Sequence, residues 1–598
     1  MPHSRSLSEQ SCLLANVDFT SSHEDDRSSR RGSLSPYTFP SHHVVHVYPD
    51  PEFSLPPSSL QQTDEFTSWS DLPNKRQLLI LSLCRFSECL SNLYILPYLF
   101  QLVRSAVSTS TPTLIEDNDD IVTYYMSIPT TALVSTYSGA LVACFPLAQL
   151  LVSFLLPCLE RYGGRKVPIT WSLGLLAVAN LAFGFSRSFW TLLFWRVVSG
   201  LAASGNGVAV RSMAGEVVGE KRYQEKTVQV LSMVGNVGVV VGLAMGGLLA
   251  EPVKTMPGLF GPEGVLNWSG SEEGGVKWMV QYPFALPAVM NALLIGVVAV
   301  IAAVFMKETN RPGYHLTQRP YILLNNSSTI LSSPHDVDGV DEKSAPKPSI
   351  LSALTTRTIP PLISSFLLTL HTSAFTFLLS LHLSTPSSPY SPLQSTTGHS
   401  LTPIIFRFTG GLSLSPLTTS LYLSVFGLLG LLLRAYVYPK WQNRLSTMGL
   451  FELSLALFPF VYLVTPYLSL FSWGSHKDTT TKGYGESMKW IALGVVLGAQ
   501  TLAVTMAGPS AEVLLKESTP CEEEGVRERV REVGSMVTNL AGVVGPVVGG
   551  VVYAKGVREG VVGAAWWFYL VVVAVVAAGW CVGVQGRGHE EREDEEKR

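Results

Sequence analysis

Gly238-Val-Val-Val-Gly242-Leu-Ala-Met-Gly246-Gly247 lies inside 227–250, a stretch without a charged side chain. A near-copy, Ala541-Gly-Val-Val-Gly545-Pro-Val-Val-Gly549-Gly550, lies inside 533–554, which is equally free of charge. A run of about 20 apolar residues is long enough to cross a bilayer core. Small residues at every fourth position share one helix face and let two helix backbones approach closely in lipid. The same stripe in two separated segments predicts a membrane protein made of two similar halves.

Outward from these two segments the pattern repeats. Mostly apolar windows fall at 78–103, 138–159, 167–186, 189–211, 227–250 and 279–306, and after a polar stretch at 359–383, 413–438, 447–471, 488–515, 533–554 and 562–584. The predicted fold class is an all-α membrane protein with 12 transmembrane helices in two six-helix bundles, 75–306 and 358–584. Residues 1–74 are rich in Ser, Pro and His and have no apolar core of a signal peptide, so they read as a disordered tail. Residues 307–357 read as a polar linker and 585–598 as a charged tail.

Composition supports the lipid reading. Of 598 residues, 47% are hydrophobic and 15% charged, with mean hydropathy +0.28; a soluble domain carries roughly 25% charge. The seven cysteines show no metal or disulfide spacing. Walker, Gly-x-Ser-x-Gly and His-Glu-x-x-His patterns do not occur. The chain is therefore not expected to be an enzyme, to use a cofactor or metal, or to bind nucleic acid. Its expected partners are the lipid bilayer and a small molecule, and it is expected to act as a monomer.

Cations flank alternate connections: Lys75 and Arg76 before the first span, Arg161, Arg165 and Lys166 after the second, Arg211, Lys221, Arg222 and Lys226 after the fourth. Lys307 and Arg311 follow the sixth, Lys440 and Arg444 the eighth, and Lys516, Arg527, Arg529 and Arg531 the tenth. The positive-inside rule then places both termini and the linker in the cytosol. Asn267, in the sequon Asn267-Trp268-Ser269, falls on the opposite side and is a glycosylation candidate.

Charge inside the spans is sparse. Arg85 and Glu88 are three apart in the first span and so are neighbours on one helix face. They read as a buried pair that exchanges a proton or couples to substrate, or as a structural pair that holds the first helix. Arg196 in the fourth span, with Gly200 one turn on, must face the bundle interior or water. Between the second and third spans stands Glu160-Arg161-Tyr162-Gly163-Gly164-Arg165-Lys166. It combines a glycine turn, a carboxylate near helix ends and cations able to pair across the two halves, which would latch one conformation. Gln149, Asn206, Asn291, His371 and Gln500 are polar residues in apolar spans, lining a cavity or bonding between helices.

These motifs resemble the major facilitator superfamily. The glycine stripes are similar to the fifth-helix signature of its drug:proton antiporters, with Leu243 where the family has proline and Ala541 at the first small position of the second copy. The Glu160–Lys166 loop resembles the family's cytosolic loop signature, with Glu160 in place of aspartate and Leu156 in place of a leading glycine. Arg196 and Gly200 resemble the Arg-x-x-x-Gly of proton-coupled members. Arg85-Phe86-Ser87-Glu88, Pro97-Tyr98 and Gly205-Asn206-Gly207 look like the zinc-induced-facilitator-like branch and its fungal relatives. The resemblance implies a secondary active transporter of drug-like molecules, organic ions or metal chelates, working by alternating access and driven by protons, in a vacuolar or plasma membrane. It implies proton-coupling roles for Arg85, Glu88 and Arg196, and packing roles for Gly200, Gly238, Gly242, Gly246, Gly247, Gly545, Pro546, Gly549 and Gly550. A transport-like sensor that binds solute without turnover is the alternative reading. A channel, which would lack saturation, is a third.

Overall fold

A computed structural model describes residues 73–108, 120–159, 164–219, 221–267, 275–309, 354–387, 410–473, 482–519, 524–581 and 583. The expectations for the N-terminal tail, the linker and the charged C-terminal tail lie essentially outside these residues. Among the described residues there is no strand, only an isolated bridge between Ser387 and Gly410.

The first crossing is helix α1, Lys75–Leu93, a 3-10 turn at Leu96–Tyr98, and α2, Leu99–Ser108. Pro97 has no N–H to donate, so the helix changes pitch there instead of running straight. Helix α3, Asp120–Leu159, begins well before the 138 expected from hydropathy. The early turns are rich in hydroxyls. These bond back into their own helix, as Ser135 Oγ does to Thr131 O at 2.7 Å and Thr136 Oγ1 to Ala132 O at 3.2 Å, so they cost little in lipid. Helices α4 (Lys166–Gly184), α5 (Phe189–Val218) and α6 (Lys221–Leu249) follow. Three short helices at the far end, α7 (Pro252–Thr255), α8 (Pro257–Phe260) and α9 (Lys277–Gln281), lead to α10, Ala285–Phe305.

The second half begins with α11, Ile359–Ser384. Pro416–Phe471 is one continuous helical segment of 56 residues. At 1.5 Å per residue it would reach about 84 Å, far more than one crossing. Ser446, with φ 61° and ψ 162°, breaks it. It therefore forms two crossings: α12 (Pro416–Leu432) continuing through a π turn at Leu433–Val437, then α13 (Tyr438–Val464), which contains the break and leads to the short α14 (Leu468–Trp473). Helices α15 (Lys482–Glu517) and α16 (Glu524–Glu559) are followed by α17 (Ala565–Cys581), which opens with a π turn.

Nine segments of the described residues are long and apolar enough to cross a membrane. Two further crossings fall short of that count for local reasons: α5 carries Arg196, Arg211 and Glu216, and α17 is short. With Pro416–Phe471 taken as two, the crossings are twelve, in two sets of six. Within the first half α1 packs on α6 and α4 on α10; within the second, α11 packs on α16 and α13 on α15. The halves meet through α3 against α16 and α6 against α12. Apolar side chains cover the outside, among them Trp171, Trp190, Phe305, Phe460 and Phe568, as a lipid-facing surface requires.

Candidate functional site

The glycine stripe of α6 is what seats α1. A Cβ on Gly238 would stand 2.6 Å from Phe86 O, and one on Gly242 2.8 Å from Leu90 O. One on Gly246 would collide with Tyr94 O. The stripe and the α1 carbonyls thus advance together by one turn each time. Gly247 faces the other way and meets Pro416 and Ser420 of α12, in the opposite half. The second copy does the same work. Gly545 lies against Leu370 and Ala374 and Gly549 against Leu378 of α11, while Gly550 meets Ser135 and Gly139 of α3 across the seam, beside Pro546. Gly200 packs α5 on Phe145 and Ala148 of α3.

Arg196 is buried but has no carboxylate partner among the described residues. Its Nη1 donates to Ser91 O at 3.0 Å and its Nη2 to Asn92 O. Both carbonyls belong to the last turn of α1, where a helix leaves its C=O groups unpaired and prefers a cation. The guanidinium also lies 4.5 Å over the Phe145 ring. Arg196 therefore caps the break in the first crossing and ties it to α3 and α5.

Arg85 and Glu88 form the pair their spacing predicts, with Nη1 to Oε1 at 2.6 Å. Glu88 is buried, and its carboxylate lies against Gly207 of α5, where a Cβ would stand 2.7 Å from either oxygen. Arg85 lies against Gly235 of α6. Asn206, fully buried, donates from Nδ2 to Cys84 O at 3.0 Å. Gly-Asn-Gly at 205–207 thus leaves room on α5 for the charged pair of α1 and anchors its backbone.

Of the loop residues, Glu160, Arg161 and Gly163 lie outside the described residues. Arg165 pairs with Glu216, Nε to Oε1 at 2.7 Å, inside its own half and not across the seam as the sequence suggested. Glu308 accepts from the backbone N–H of Arg165 at 2.7 Å and of Lys166 at 3.0 Å, so its carboxylate sits at the positive start of α4. Thr309 Oγ1 donates to Glu216 Oε2 at 2.6 Å. The loop after the second crossing is thereby clasped to the ends of α5 and α10.

The polar candidates divide. Asn291 is buried and donates to Asn180 Oδ1 at 3.2 Å, and Asn180 donates to Ser91 Oγ at 2.8 Å, joining α10, α4 and α1. His371 is buried on α11, its Nδ1 2.8 Å from Tyr462 OH, with Gln500 of α15 beside that tyrosine. Asn206, Asn291 and His371 thus serve as interhelical bonds in this conformation. Gln149 is half-buried on α3, its carbonyl accepting from Ser153 Oγ at 2.9 Å. Asn180, Tyr462 and a second buried histidine, His382, were missed; a lone Asn or His amid leucines was the only available signal. Asn267 lies in the far-end loop and donates from Nδ2 to Pro262 O at 2.9 Å. Among the described residues no group of His, Cys, Asp and Glu could hold a metal.

Three comparisons bear on this arrangement. The Major Facilitator Superfamily profile matches residues 81–526. An Aspergillus fumigatus protein named major facilitator superfamily multidrug transporter mfsB is 23% identical over 83% of this chain and 81% of its own length. Zinc induced facilitator-like 1 of Arabidopsis thaliana is 26% identical over 38% of this chain and 42% of its own. Among solved structures, a D-xylose-proton symporter aligns with TM-score 0.54 at 12% identity, over 84% of this chain and 96% of that one.

Proposed function

The chain belongs to the major facilitator superfamily, whose members are secondary transporters of small solutes, and from that premise we propose that it is a proton-coupled exporter working by alternating access. It is a multi-pass integral membrane protein and not an enzyme. The observation that carries proton coupling is the Arg85–Glu88 pair, 2.6 Å apart, buried at membrane depth in the first crossing against glycines of α5 and α6. An intramembrane carboxylate that pairs with one arginine among the described residues and packs against a glycine is suited to take and release a proton. Arg196, which holds the end of the same helix, would transmit that change to α3 and α5.

The halves meet through α3 and α16 and through α6 and α12, which supports a rocking motion about those seams. The contacts clasping Arg165, Glu216 and Glu308 stay within one half, so they would stiffen that half as a rigid body. Cytosolic termini follow from the cation distribution, with the Asn267 loop outside. The multidrug name of the Aspergillus relative supports drug-like cargo. The test is a solute screen with purified protein in proteoliposomes under an imposed pH gradient. Saturable, gradient-dependent flux supports the reading. Binding without flux would favour a sensor, and unsaturable flux a channel.

A further inference from the structure

We propose that Ser380 is the latch of a gate at the far end of the molecule: its hydrogen bond to the carbonyl of Leu96 holds the two halves together there, while they part toward the end where α1 begins. The proposal rests on the alternating-access reading above and adds the residue that sets which side is open.

The two seams show how the halves lie. Along α3 and α16, a Cβ on Gly139 would stand 2.5 Å from Pro546 O, and one on Gly550 2.9 Å from Ser135 O. Nearer the other end, a Cβ on Gly542 would have 3.4 Å to the side chain of Pro146. Along α6 and α12, a Cβ on Gly247 would collide with Pro416 O. Nearer the other end the contact passes to side chains: Val240 lies against Gly427, and Arg434 Nη2 donates to Ser232 Oγ at 3.3 Å. Both seams are thus backbone-tight at the far end and rest on side chains toward the other, as two legs joined at one end would.

The buried side chains divide the same way. One cluster runs through both halves at the far end, with Tyr98 and Leu102 of the first crossing, Phe377 and Leu381 of α11, and Trp566 of α17. Toward the end where α1 begins, clusters of the described residues keep to one half: Leu81, Leu173 and Ile295 in the first, Leu362, Val530 and Val533 in the second.

Ser380 supplies the polar tie within the shared cluster. Other hydroxyls of α11 and its end bond back into the same helix: Thr372, Thr376 and Thr385 donate to its carbonyls at 2.7, 2.9 and 2.7 Å. Ser380, which is buried, donates instead to Leu96 O in the opposite half. Leu96 opens the 3-10 turn that breaks the first crossing. A carbonyl has two lone pairs, so Leu96 O takes the N–H of Leu99 and the Ser380 hydroxyl together. The 3-10 turn and α2 pack on α11 around this bond. The opening helix of each half is thereby bonded to that of the other.

Rocking that opens the far end carries α11 away from the first crossing and breaks the bond. Both arrangements are populated during turnover, so they lie close in free energy. One net hydrogen bond, about a fivefold bias, then decides between them.

The test uses the full-length chain in lipid nanodiscs, its seven native cysteines replaced by alanine and spin labels attached in pairs. Ser108→Cys with Leu417→Cys spans the halves at the far end, from the end of α2 to the start of α12. Lys307→Cys with Glu517→Cys spans them at the other end, where Gln77 Nε2 donates to Lys307 O and α15 finishes. Distances are read by pulsed electron paramagnetic resonance. The parent should show a short far-end distance and a long opposite one. Ser380→Ala should move the ratio of the two populations about fivefold toward the reverse pattern. Ser380→Thr, which keeps the hydroxyl, should stay near the parent. Distances in Ser380→Ala that match the parent at both ends would overturn the proposal. So would a longer far-end distance without shortening at the other end, which is local loosening and not a change of side. Absence of flux for every solute in proteoliposomes sinks the alternating-access reading and the latch with it; intact flux with unmoved distances sinks the latch alone.

Discussion

Glu216 binds Arg165 at 2.7 Å inside the first half, at the end of α5, while Glu308 from the end of α10 caps the start of α4 beside it. The two carboxylates do different work. Arg165 and Glu216 are both partly exposed, and such pairs contribute about 0–1 kcal/mol. Glu308 accepts two backbone N–H groups at a helix start, worth about 1–2 kcal/mol. Glu308→Ala should therefore lower the melting temperature measurably, and Glu216→Gln should leave it nearly unchanged. Equal losses in a thermal melt would mean the capping argument is wrong.

Arg196 satisfies two carbonyls at the broken end of the first crossing. Its removal leaves buried acceptors without donors, at about 1–3 kcal/mol for each group, and also loses the contact with the Phe145 ring. Arg196→Ala should be recovered in low yield from membranes. Arg196→Lys, which keeps a charge but not the fork, should fall between it and the parent in yield and melting temperature. A lysine variant no better than alanine would mean that the charge at the helix end matters little.

The halves, the crossings and the packing stripes were legible because they follow from the solvent. Lipid demands apolar rods of fixed length, and close helix approach demands small residues at helical spacing. Arg85 and Glu88 were legible because their spacing alone makes them neighbours on one face. The partners of Arg165 and Arg196 were not. Glu216 and Glu308 stand 51 and 143 residues from Arg165 in the sequence, and nothing in the sequence tells which of the many carbonyls of α1 will accept from Arg196.

The register of α6 on α1 gives a sharp contrast. A methyl group at Gly246 would run into the backbone oxygen of Tyr94, which cannot move without shifting the helix. Overpacking of this kind costs roughly 1–3 kcal/mol. Gly174 on α4 has nothing near its Cβ position, and there alanine gains up to about 1 kcal/mol in helix propensity. Gly246→Ala should reduce the melting temperature and folded yield, and Gly174→Ala should not. A tolerant Gly246 would show that α1 and α6 do not pack in this register.

Glu88 offers the test of coupling. Replacing it by Gln leaves the Arg85 charge without its partner in a mostly buried position, which is destabilising by about 3–5 kcal/mol when a pair is fully buried. Loss of activity in Glu88→Gln alone would therefore be ambiguous. The double variant Arg85→Gln with Glu88→Gln removes both charges and restores neutrality, so its folded yield should recover. The prediction separates two modes of transport. Uptake driven by an imposed pH gradient should be lost in the double variant, because no carboxylate remains at that depth in α1 to carry the proton. Exchange of labelled for unlabelled solute at equal pH needs only binding and rocking of the halves, and it should persist. If gradient-driven uptake and exchange fall together while the protein remains folded, the pair is structural. If neither falls, the proton travels elsewhere.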